Sequence, residues 1–84
     1  MTMVTRTEVE KKFKQIVADI FKVPVKNLKG STRFAEDLKA KSLGMISLVA
    51  ATENTFGIKT TTAETSKNTT IKKAVDYIYK KLKG

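Results

Sequence analysis

Phe34-Ala35-Glu36-Asp37-Leu38-Lys39-Ala40-Lys41-Ser42-Leu43-Gly44-Met45-Ile46 is the stretch on which the reading of this chain turns. It runs from a polar, charged segment into an apolar run at helical spacing and places one serine at the junction. The first backbone N–H groups of an α-helix have no partner within the helix, and the helix dipole makes that end favourable to an anion. Two roles are open to a hydroxyl there: that of an ordinary N-cap, or that of a point where a phosphate-linked group is attached. A lone serine without a base is a poor nucleophile. Chemistry at Ser42 is therefore modification by another enzyme, not catalysis by this chain.

Upstream, Thr5 with Glu8 and Thr7 with Glu10 both fit a capping box. Val9, Phe13, Ile16, Val17 and Ile20 then recur at helical spacing. Together they predict a first helix over about 5–21, with Lys11, Lys12 and Lys14 outward and Pro24 ending it. Residues 22–41 form a long connection. Twenty residues is long for a structureless loop in a compact domain, so Val23, Val25, Leu28, Phe34 and Leu38 are expected to pin it, with a turn at Gly30-Ser31.

The second helix is expected from about Ser42 to Phe56, with Leu43, Ile46, Val49, Ala50 and Phe56 as its apolar stripe. Met45 and Leu48 widen that stripe enough for some apolar surface to face outward, and Gly57 suits the position after the helix end. Thr61 and Glu64 fit another capping box, for a short helix whose only apolar residue is Ala63. A last helix follows a Thr69 or Thr70 cap, with Ile71, Ala74, Val75, Ile78 and Leu82 inward and Lys72, Lys73, Lys80, Lys81 and Lys83 outward. No strand-like alternation, repeat or low-complexity linker interrupts the pattern. The expected fold is all-α: a small four-helix bundle of three main helices and one short one, with a long loop between the first two, forming one domain over 1–84.

At 84 residues such a chain buries only about 60–65% of its unfolded surface, so its core is small. The absence of cysteine and histidine excludes a disulfide, a thiolate or imidazole zinc site, a Ser-His-Asp triad and a histidine phosphorelay. Met1–Arg6 lead into no long apolar run, so no signal peptide is expected. No segment approaches the roughly 20 apolar residues of a membrane span. A cytoplasmic protein without membrane insertion is expected.

The net charge of +9 is unevenly spread: seven basic against three acidic residues in 1–30, three against three in 31–58, and seven against two in 59–84. Basic flanks suit a nucleic acid, an anionic lipid surface or an acidic protein, and equally a set of solvated lysines on exposed helix faces. Tyr77 and Tyr79 fall on different helix faces without an aromatic repeat, which favours packing over base stacking and gives no sign of specific nucleic-acid recognition. Glu36 and Asp37 are expected to interact with the helix dipole or nearby lysines, not to act as an acid–base pair. Gly44 leaves room either for a bound arm or partner to approach or for no particular purpose.

Over nearly its whole length the chain resembles acyl carrier proteins. That family shows Phe-x-Glu-Asp-Leu-Gly-x-Asp-Ser-Leu before an apolar second helix, a Glu-x-x-Phe near that helix's end, and a Thr-Val-x-x-Ala-x-Asp-Tyr-Ile-like stretch in the last helix. The matching pieces here are Phe34–Leu43, Glu53-Asn54-Thr55-Phe56 and Thr70–Ile78. The resemblance implies that Ser42 is the attachment site of 4'-phosphopantetheine donated from coenzyme A, with Lys41 and Lys39 near its phosphate and Leu43 touching the arm or a partner. It implies an acyl pocket formed by Phe34, Ile46, Val49 and Ala50, no catalytic residues, and no metal. The implied partners are a phosphopantetheinyl transferase and acyl-transferring or acyl-activating enzymes, met by a monomer.

The departures carry expectations of their own. Lys41 stands where the family has aspartate, which should weaken loading by a transferase that relies on that acid. Gly44, Ser47 and Asn54 replace typical acids of the second helix, so partners with neutral or acidic, more apolar docking surfaces are expected. Thr60, Thr65 and Asn68 stand where apolar anchors are usual, beside the acyl pocket. An unmodified carrier-fold subunit, favoured by Lys41, and a basic nucleic-acid or lipid binder, favoured by the charge, are the competing readings.

Overall fold

The computed structural model describes residues 5–65 and 67–83, the side chain of Thr62 excepted. Three helices of useful length carry the fold: α1 (Arg6–Phe21), α2 (Ser42–Phe56) and α4 (Ile71–Lys83), with a single turn of helix, α3 (Thr62–Thr65), between the last two. Among the described residues there is no strand, only an isolated bridge between Arg33 and Thr70. No described helix is long and apolar enough to cross a membrane.

Helix α1 is the centre of the arrangement and packs against both α2 and α4. It starts on Thr5, whose hydroxyl accepts the Glu8 N–H at 3.2 Å; of the two capping boxes, the first is the one used. It ends at Phe21 as expected, but by a local turn and not by the proline. Lys22 turns the chain in the left-handed region at φ 58°, and its N–H returns to the Ala18 carbonyl. The helix thus stops two residues before Pro24, at a residue the periodicity does not mark. Val9, Phe13 and Val17 of α1 meet Leu48 of α2 and Ile71, Val75 and Ile78 of α4 in a continuous core. Arg6 adds a tie across the same face through Asp76 at 2.7 Å.

The long connection is held as its apolar residues suggest, with one exception. Leu28 and Phe34 are buried, and Val23 and Leu38 pack on the core, but Val25 is exposed on a 3-10 turn over Val25–Asn27. The Gly30-Ser31 turn is closed by the Thr32 N–H on the Lys29 carbonyl at 3.0 Å. The loop also completes the start of α4. The Ile71 and Lys72 N–H groups donate to the Thr32 and Gly30 carbonyls at 3.1 and 2.9 Å, and the Lys73 N–H donates to the Thr70 hydroxyl at 3.2 Å. Three donors that a helix start leaves open are thereby satisfied.

Two carboxyls are held below their ordinary range: Asp37, chiefly by the Arg33 backbone N–H, and Glu10, chiefly by its hydrogen bond from Lys14. A carboxylate whose folded pKa is lowered stabilises the fold above its unfolded value, here 3.8 for Asp37 and 4.5 for Glu10. That contribution is lost as pH falls through the folded value. No histidine titrates in between. The melting temperature is therefore expected to hold within about 2 °C from roughly pH 5.5 to 9 and to drop only below about pH 4; a series of thermal melts checks this.

Candidate functional site

Ser42 is the first residue of α2, and the N-cap position is taken by Lys41, whose side chain makes no cap bond. The ordinary explanation for a serine at a helix start is therefore not the one this chain uses. The first intrahelical bond runs from the Met45 N–H to the Lys41 carbonyl at 2.9 Å. The N–H groups of Ser42, Leu43 and Gly44 meet no acceptor among the described residues. By contrast, α1 and α4 both begin on threonine caps. The Ser42 side chain is exposed and its hydroxyl makes no hydrogen bond among the described residues. Lys39 and Lys41 are exposed on the chain leading to it.

The entry into α2 is fixed by the loop folding on itself. The Ala40 N–H donates to the Phe34 carbonyl at 2.9 Å, and the Asp37 and Leu38 N–H groups to the Arg33 carbonyl at 2.9 and 3.2 Å. The Arg33 N–H donates to the Asp37 carboxylate at 2.8 Å. Arg33 also reaches the Glu36 and Asp37 carboxylates at 3.7 and 3.6 Å, so this arginine is the close partner of both acids, while the charge of Lys39 acts on Asp37 as well. Lys39 sits in the left-handed region at φ 54°, where the carrier pattern has a glycine that adopts it without steric cost.

Helix α2 presents two apolar faces. Leu48, Val49 and Thr52 are buried, and Met45 and Phe56 pack on the core. The other face is open: Leu43 is 76% and Ile46 54% exposed, with Ser47, Ala50 and Asn54 also outward. Of the expected pocket residues, Phe34 and Val49 do line a cavity, whereas Ile46 and Ala50 lie on the outer face of α2. The reason is rotational. The inward set of Met45, Leu48, Val49, Thr52 and Phe56 keeps a regular helical spacing that includes a threonine, so hydrophobicity alone favours the wrong stripe. Gly44 also faces inward, and a methyl group there would stand 2.9 Å from Cε1 of Phe21. It is the α1 aromatic, not an arm or a partner, that occupies the space a side chain would need.

The cavity lies between α1, α2, α4 and the α3 segment. Phe13, Leu48, Val49 and Ile78 form its apolar side and Thr52, Thr60, Thr65, Asn68 and Tyr77 its polar side, around about 20 Å³ of free volume. An outer groove beside the start of α2 is lined by Ala40, Met45, Phe34, Asn68 and Thr69. Phe34 and Asn68 border both spaces. Tyr77 joins the polar wall through a 3.0 Å bond between its hydroxyl and that of Thr60, while Lys81 stacks over its ring at 5.4 Å. This polar wall is where the sequence places threonines and an asparagine in the carrier pattern's apolar positions. Phe13, Leu48, Thr52, Ala74, Tyr77 and Ile78 also line the cavity without having been expected there; Thr52 was the least legible, since a threonine within an apolar helix gives no signal of its own.

Glu53, the one acid of α2, accepts the Thr60 N–H at 2.9 Å and is half-buried. No acid remains on the outward face of α2.

Residues 11–78 match the family model described as "Phosphopantetheine attachment site". The chain is 36% identical over 75 residues to a protein named acyl carrier protein from Buchnera aphidicola subsp. Schizaphis graminum (strain Sg), the match covering 89% of this chain and 95% of that one.

Proposed function

The chain belongs to the family of phosphopantetheine-bearing acyl carrier proteins, and from that premise we propose that Ser42 is the residue through which it carries its arm. When bound, 4'-phosphopantetheine supplies the thiol on which acyl groups travel as thioesters. The observation that carries the assignment to Ser42 is the bare start of α2: an exposed, unbonded hydroxyl beside three backbone N–H groups without acceptors. A phosphodiester linked there meets the positive end of a 15-residue helix and the charges of Lys41 and Lys39, each favourable to an anion. The chain's own part is to hold and present; the bond-making belongs to its partners.

Those partners are a phosphopantetheinyl transferase and acyl-handling enzymes. We place their contact on Leu43, Ile46 and Ala50, an apolar outward face without a carboxylate. Such a face docks on neutral or mildly acidic surfaces through apolar burial, and its binding should weaken little with salt. We further read the chain as one carrier domain over 1–84, acting as a monomer in the cytoplasm and without catalysis of its own.

The test is to incubate the chain with coenzyme A and a broad-specificity transferase, take an intact mass, and map the modified peptide. An added arm on the peptide holding Ser42 supports the reading. A chain left bare by every transferase supports the unmodified carrier-fold subunit instead. In the same assay Lys41→Asp is expected to speed loading by a transferase with a basic docking surface about tenfold or more, since an attractive contact replaces a repulsive one.

A further inference from the structure

We propose that the outer side of α4, with the loop corner beside its start, is a face that adsorbs to an anionic phospholipid surface. This face is separate from the apolar one on α2 and independent of the reading of Ser42.

Ile71, Ala74, Val75 and Ile78 form the buried side of α4. At 3.6 residues per turn, Lys72, Lys73, Asp76, Lys80 and Lys83 fall together on the opposite side, and all five are exposed. The stripe runs about 16 Å along the helix. Its single acid, Asp76, is held by Arg6 at 2.7 Å, whereas no lysine of α4 meets a carboxylate among the described residues. The loop between α1 and α2 extends the stripe. The Lys72 N–H donates to the Gly30 carbonyl at 2.9 Å, and a methyl group on Gly30 would stand 3.4 Å from Cβ of Lys72. Exposed Lys29 is one residue from that contact.

Helix stability accounts for only part of this pattern. Lys80, Lys81 and Lys83 lie in the last turn of α4, where a cation favours the helix. Lys72 and Lys73 lie in the first turn, where a cation opposes the helix dipole, and no acid stands there to offset them. Two cations set against the dipole, with Lys29 adjoining, are matched by an opposite charge only when a partner brings one.

The kind of anion follows from how the face is built. The N–H groups of Ile71, Lys72 and Lys73 are already bonded, so no backbone cradle is left for a discrete phosphate. The large apolar side chains exposed among the described residues are Val25, Leu43 and Ile46. None is on α4, so the face lacks the apolar anchor around which a protein interface forms. Nucleic acid fits no better. Arg6 and Arg33 are both held by carboxylates, and the Tyr77 and Tyr79 rings lie under the Lys81 and Lys83 ammonium groups at 5.4 Å, not open to bases. A row of compact, hydrated ammonium groups on flexible stems suits a surface of many mobile charges, which asks no fixed geometry of each lysine.

Vesicle flotation of the full chain tests this. Vesicles of phosphatidylcholine with about 30% phosphatidylglycerol are expected to carry the chain at about 0.05 M salt and to release it at about 0.5 M. Phosphatidylcholine alone is expected to carry none. Each lysine near an anionic surface is worth about fivefold in binding. Lys72→Gln combined with Lys73→Gln is therefore expected to lower the partition coefficient at least about tenfold, while melting no earlier than the parent. Lys11→Gln combined with Lys12→Gln removes the same charge from the outer side of α1, beside Glu8 and Gln15, and is expected to lower it less than about threefold. Equal losses from the two pairs would mean that net charge alone drives adsorption; that result, or no adsorption at low salt, overturns the proposal. Duplex DNA or polyglutamate bound more tightly than these vesicles, with the same loss in the α4 variant, would give the face to another class of partner and overturns it too.

Discussion

Ser42→Ala is expected to abolish loading outright while leaving the fold untouched. The chain should stay at its unmodified mass with coenzyme A and any transferase, and its melting temperature should stay within about 2 °C of the parent. The two halves of this result have separate causes. The hydroxyl is exposed, bonds nothing among the described residues and does not cap α2, a role held by Lys41. Its removal therefore costs none of the roughly 1 kcal/mol that loss of a serine N-cap usually costs, and alanine is the better helix former. Chemically the change is complete, because no hydroxyl remains at the start of α2 to bear a phosphodiester. Ser47, also exposed and on the same helix, is the control: it lies beyond the first turn, where backbone N–H groups are already committed to the helix. Residual arm on Ser42→Ala, mapped to Ser47 or another serine, would move the attachment site. A large fall in melting temperature would return Ser42 to a structural role.

The ends of the elements were legible because single residues set them. Thr5, Thr61 and Thr70 supply the oxygens that start α1, α3 and α4, and Gly57 ends α2 at φ 66°; each is a local hydrogen-bond or backbone requirement visible in three or four residues. Lys22 ends α1 by the same left-handed turn but with a residue type that does not advertise it. The rotation of α2 was harder to read because the helix is apolar on most sides. Leu43 and Ile46 look more buried than Met45 and Thr52 on any scale of hydrophobicity, and it is α1 and α4 that decide between the two faces. The proposed attachment residue was legible from its place in the pattern, whereas the lining of the cavity behind it was not. That interior depends on contacts across the chain, such as Thr60 with Tyr77, which local spacing does not encode.

Phe34→Ala is expected to cost about 3–5 kcal/mol, the usual range for deleting a buried aromatic, and thereby to lower the melting temperature by at least about 12 °C in a chain of this size. The ring is 4% exposed and stands edge-on to Phe13 of α1, with centroids 6.2 Å apart and planes at 89°, an arrangement worth a further ~0.5–1.5 kcal/mol. It is the principal anchor of the segment that turns into α2. The backbone bonds around it, from its own N–H to the Thr69 carbonyl and from the Ala40 N–H to its carbonyl, hold their register only while the ring is seated. Its loss also removes part of the partition between the inner cavity and the outer groove, since Phe34 borders both. Phe34→Leu keeps most of the volume and should cost about 1–1.5 kcal/mol, which separates filling of the core from the aromatic contact. Urea unfolding of the two variants measures both quantities. A loss below about 1.5 kcal/mol for the alanine variant would mean that the connection before Ser42 is fixed by its backbone bonds alone, and that the start of α2 owes its position to hydrogen bonding and not to the core.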